Sequence, residues 1–170
     1  MNNQDIQKFI TKAKKMEKGH SLDLSSGEDL SVAIMNLIGI EEHMFFTSQK
    51  LGDTKYIDVL DTAREMRKEL MKKIVKEGHG EVWCASKHLL SASMRLMEVG
   101  TKFLTKGDKK EANNYFKKSF DLYNLFWGLN LGLVESKPTK AKFDEKPLPK
   151  KNFLGTLNQT IGKILDCCRE

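Results

Sequence analysis

The chain has 170 residues, 39% of them hydrophobic, and its 29 Lys and Arg exceed its 23 Asp and Glu by a formal +6. That length suits one domain around a single core, and the mix of apolar and charged residues is that of a globular protein in water. No apolar run approaches the ~20 residues that cross a bilayer, and the opening "MNNQDIQKFITKAKK" lacks the apolar stretch of a secretory leader, so a cytoplasmic protein is expected.

Residues 3–18 predict a first helix with Ile6, Phe9, Ile10, Ala13 and Met16 on one face, closed by Gly19. "HSLDLSSG", residues 20–27, reads as a loop. A second helix is expected over 28–51, with Leu30, Ala33, Ile34, Leu37, Phe45 and Leu51 turned inward. "LGDTKY" is a turn in which Gly52 stops one helix and Asp53 or Thr54 starts the next. The third helix carries Tyr56, Val59, Leu60, Ala63, Leu70 and Ile74 at helical spacing and is halted by "EGHG". A fourth spans about 81–106, and "KGDKKEA" turns into a fifth that ends near Leu131. Connections after residue 51 are short, which makes sequential helices antiparallel neighbours. No strand-like alternation flanks a glycine turn. The expected fold is therefore all-α, an up-and-down antiparallel bundle of about five helices over residues 1–133.

All three prolines, Pro138, Pro147 and Pro149, fall in residues 134–151, a basic linker with six lysines against three acids. Beyond it, residues 152–170 predict a short amphipathic helix whose stripe includes Phe153, Leu157 and Ile161. Such a helix docks on the bundle or in the groove of another molecule. The first eighteen residues hold five lysines against Asp5 and Glu17. The positive excess is thus expected at the two ends, where it keeps the chain solvated or meets RNA or an acidic partner.

Chemistry is sought first in "GHGEVWCASKHLLSASMR", residues 78–95. Glu81, Cys84 and His88 recur at one-turn spacings, a pattern that a mononuclear metal site would use with ligands from Glu41, Glu42, His43 or His79. The competing reading is a polar seam. Glu41 follows Ile34 and Leu37 on the inner stripe, Arg67 follows Ala63, and Arg95 lies two turns beyond His88, so Glu41, Arg67, His88 and Arg95 are expected to form one partly buried network. No P-loop, GxSxG or HExxH occurs, and no CxxC pair accompanies Cys84, Cys167 and Cys168. No catalytic residue and no cofactor is assigned. Most of the aromatic stripe of the fifth helix is expected in the core, while Phe126 and Trp127 are expected to exceed what the bundle covers and to form an interaction face with Phe153, Leu157 and Ile161.

"GTKFLTKGDKKEANNYFKKSFDLYNLFWGL" resembles a tetratricopeptide-type helical hairpin in its Gly-Asp turn, its "EA" opening and its aromatic ladder. The resemblance covers one hairpin with no second copy at a thirty-four-residue period, so a stacked superhelical array is not expected. "EEHMFF", "GEVWCASKHLL" and "LYNLFWGLN" together look like small helical-bundle proteins of microbial genomes, a likeness that implies no activity. The expected function is a non-enzymatic protein-interaction or scaffold module, self-association included. The alternatives are an RNA- or ribosome-associated accessory protein and a mononuclear metal-binding bundle.

Overall fold

The computed structural model describes residues 24–76 and 80–134, together with Thr11 and Gly155, both helical. The described residues form α1 (Leu24–Leu51), α2 (Lys55–Ile74), α3 (Glu81–Thr105) and α4 (Lys109–Asn130), with no strand among them. The all-α class stands. The helix expected over 3–18, the linker over 134–151, the helix over 152–170 and His79 lie outside the described residues, apart from Thr11, Val134 and Gly155. No described helix is long and apolar enough to cross a membrane.

The helices pair as two antiparallel hairpins, α1 with α2 and α3 with α4, and a slighter contact joins α1 to α3. α1 starts at Leu24, so the loop read over 20–27 gives way to helix in its second half. Gly27, a poor helix former, is the reason packing wins there: a Cβ on it would come within 3.1 Å of the Trp127 ring. The Trp127 ring of α4 lies against the α1 backbone because that position has no side chain.

The α3–α4 turn is built by Gly107, whose φ of +80° is open to glycine without strain. Its amide donates to the Leu104 carbonyl and that of Asp108 to Phe103, closing α3. Asp108 then caps α4 by accepting a 3.0 Å hydrogen bond from the Glu111 amide. Along the hairpin, Ser93 and Ser119 donate to each other's carbonyls at 2.9 and 2.7 Å. At Gly100 a Cβ would stand 2.5 Å from the Phe116 ring, so α4 lays an aromatic edge on the backbone of α3.

The core gathers at one end of the molecule. Ile34 and Met35 of α1 meet Met71, Ile74 and Val75 around the end of α2, Leu90 early in α3, and Phe126, Trp127 and Leu131 around the end of α4. Each large side chain buried there contributes roughly 1.5–3 kcal/mol. Toward the other end the buried hydrophobics are Ala63 and Ala112. Phe45 and Leu51, expected to face inward, are instead 49% and 62% exposed, and Ala33 and Val59 are exposed as well. Beyond the Glu42–Arg95 contact with α3, the last turns of α1 pack chiefly on α2, and a single helix–helix contact covers a narrower stripe than a bundle core does.

Candidate interaction surfaces

The four residues expected in one polar network form two separate ion pairs and an outlier. Glu41 and Glu42 are consecutive on α1 and therefore point about 100° apart. Glu41 reaches α2, where it accepts from Arg67 Nε at 2.8 Å and from Nη2 at 3.1 Å. The Arg67 side chain is 4% exposed and that of Glu41 18%, so this bidentate pair lies in the wall between the helices. Glu42 reaches α3 instead and accepts from Arg95 Nε at 2.9 Å, while Glu98 takes another of the arginine's donors. Hydrogen bonding to Glu42, and then to Glu98, holds the Arg95 guanidinium more firmly protonated than usual. That pair is open to water.

His88 joins neither pair. It lies two turns from Arg95, about 10 Å along the helix and too far for contact. Its side chain is exposed, beside an apolar depression formed with Ala85, Leu89, Leu125, Leu129 and Val134. Glu81 and Cys84 are also exposed on α3, and Cys84 is a free thiol. Among the described residues no three or more His, Cys, Asp and Glu come together in a metal-binding group.

Phe126 and Trp127 need correcting as an interaction face. They are 0% and 3% exposed, at the end where all four helices converge, and they pack edge-to-face at 5.2 Å. Phe153, Leu157 and Ile161 lie outside the described residues. Tyr123, beside them, has its hydroxyl 2.7 Å from Ser31 Oγ, and Ser31 spends its one proton on the Glu28 carbonyl. The phenol is therefore the donor. Burial raises the Tyr123 pKa above the ordinary 10. Because the folded value is the higher one, the stability it carries is intact below about pH 10 and lost as pH rises through the folded pKa. Absorbance at 295 nm should show a late-ionising component among the three tyrosines that disappears in Tyr123→Phe; a curve unchanged by that substitution contradicts the assignment.

Two apolar surfaces were not foreseen. Around the α1–α2 turn, Phe45, Phe46, Leu51, Ile57 and Val59 are each 44–62% exposed. A groove between α1 and the α3–α4 hairpin is lined by Val32, Met35, Met94, Met97, Phe116 and Phe120. The signal that would have found the first is the Phe45-Phe46 doublet, since consecutive helical residues cannot both share one narrow buried stripe. No protein-family model, no curated protein and no solved structure matches the chain.

Proposed function

We infer that the protein is a non-enzymatic interaction module that associates with a protein partner, a second copy included, through the apolar surface of the α1–α2 hairpin. The observation that carries this is the group of five exposed large hydrophobics at the end of the molecule away from the core. Large apolar side chains exposed together at one end of a small domain commonly mark an interaction site. The Phe45 and Phe46 rings stand edge-to-face at 5.2 Å, so the patch is presented as a shaped feature. The same reading takes residues 3–18 and 152–170 as further helices, completing a bundle of about five plus a docking helix in a cytoplasmic protein.

Sedimentation equilibrium tests the self-associating form. The wild-type chain should form a dimer whose affinity changes little between low and high salt, and Phe46→Glu with Leu51→Glu should return it to monomer with unchanged helicity. A wild-type protein that stays monomeric at high concentration removes the self-association, and a dimer indifferent to the double substitution removes this surface.

A further inference from the structure

We propose that the tip of the α3–α4 hairpin binds the phosphate backbone of a nucleic acid. Residues 101–118 carry Lys102, Lys106, Lys109, Lys110, Lys117 and Lys118 against Asp108 and Glu111, a local charge of +4 in the middle of the chain. The positive excess is therefore not confined to the termini. None of these six lysines forms an ion pair with a described carboxylate. Both acids are engaged locally, since Asp108 caps α4 and Glu111 accepts from the Asn114 amide at 3.2 Å. By contrast each described arginine is paired: Arg64 with Asp61 and Glu65, Arg67 with Glu41, Arg95 with Glu42 and Glu98.

The tip is also braced. Phe103 of α3 and Tyr115 of α4 stack across the hairpin at 5.2 Å and 11°. Lys106 stands over the Phe103 ring at 5.7 Å and Lys118 over Tyr115 at 5.3 Å, which places two ammonium groups on a rigid aromatic base. Ordering these side chains beforehand lowers the entropy lost when they meet a ligand.

The all-lysine composition identifies the kind of partner. Carboxylates are best recognised by the planar fork of arginine, and lysine is depleted in protein–protein interfaces. Nucleic-acid interfaces are strongly positive, and lysine meets a phosphate as a point charge without reading sequence. The exposed Asn113 and Asn114 add amide groups of a kind that also contacts phosphate and sugar.

Fluorescence anisotropy of the full-length protein with a labelled 20-nucleotide single-stranded RNA, and with a duplex DNA of that length, tests this. With four to six phosphates neutralised, the logarithm of the association constant should fall against the logarithm of salt with a slope of about −3 to −4 on the single strand, roughly a hundredfold loss from 50 to 200 mM. Replacing Lys102, Lys109, Lys110 and Lys117 by Gln spares the two ring-stacked lysines. It should weaken binding at least tenfold and flatten the slope by about 2–3, with helicity and melting unchanged. The charge-matched control, Lys72, Lys73, Lys76 and Lys87 to Gln, should leave both values in place. The assignment is overturned by no binding at 50 mM salt, by equal losses in the two variants, or by poly-glutamate binding as tightly as RNA.

Discussion

Trp127→Ala should destabilise the protein by about 3–5 kcal/mol, the range for removing a large aromatic from a packed core. The indole is 3% exposed, stands edge-to-face on Phe126 and Tyr123, and fills the space that Gly27 leaves on α1. Its removal opens a hole where all four helices meet, and neighbours held by three other helices cannot collapse into it. For a chain of this length the loss is worth roughly 10 °C in melting temperature. Phe46→Ala is the matched comparison, since that ring is 58% exposed and the change should fall within about 0.5 kcal/mol. Urea unfolding of the two variants decides the matter: comparable shifts in midpoint would mean that the core is not where the structure places it.

Glu41→Ala should cost about 3 kcal/mol, because it leaves the Arg67 guanidinium buried without its carboxylate. The lower end of the range for broken buried pairs applies, as Glu41 itself is 18% exposed and water can reach the vacated place. Glu42→Ala removes an acid from the adjacent residue, yet its partner Arg95 is 46% exposed, so the loss should stay within about 1 kcal/mol. Replacing both members of the inner pair, Glu41→Leu with Arg67→Met, should recover most of the stability, since a buried ion pair is commonly no stronger than well-packed apolar groups of similar size. Guanidinium or urea titrations of the four proteins read this directly. Equal losses for Glu41→Ala and Glu42→Ala would show that burial does not distinguish the pairs.

Much of the architecture was legible because it depends on local signals. Glycine turns and apolar spacing placed the last three helices within a residue or two of α2, α3 and α4. The Glu41–Arg67 contact was legible too, since both residues continue an inner stripe on neighbouring helices. The merging of that pair with His88 and Arg95 was not correct, because position on a face says nothing about distance along the helix. Which residues a neighbour covers was also beyond local reading. Phe45 and Leu51 repeat at helical spacing as regularly as Ile34, yet only Ile34 lies where four helices converge. Phe126 and Trp127 failed in the opposite sense: their bulk suggested surplus surface, and the close approach at Gly27 accommodates it. The lysines of the α3–α4 tip were hidden by averaging, since acids elsewhere in the middle of the chain offset them in any long window.

The crowding of large buried side chains at one end gives the molecule a fulcrum. Each hairpin is zipped along its own length by contacts between helices adjacent in sequence. The hairpins are bolted to one another chiefly where Ile34, Met71, Leu90 and Phe126 meet. Spreading their free ends bends two stiff arms and draws on the water-exposed Glu42–Arg95 pair, yet strips little oil from the joint. The groove beside Met94 and Met97 is, for that reason, the dimension of this fold that can widen or narrow at least expense, and pliable thioethers are the side chains best suited to follow it.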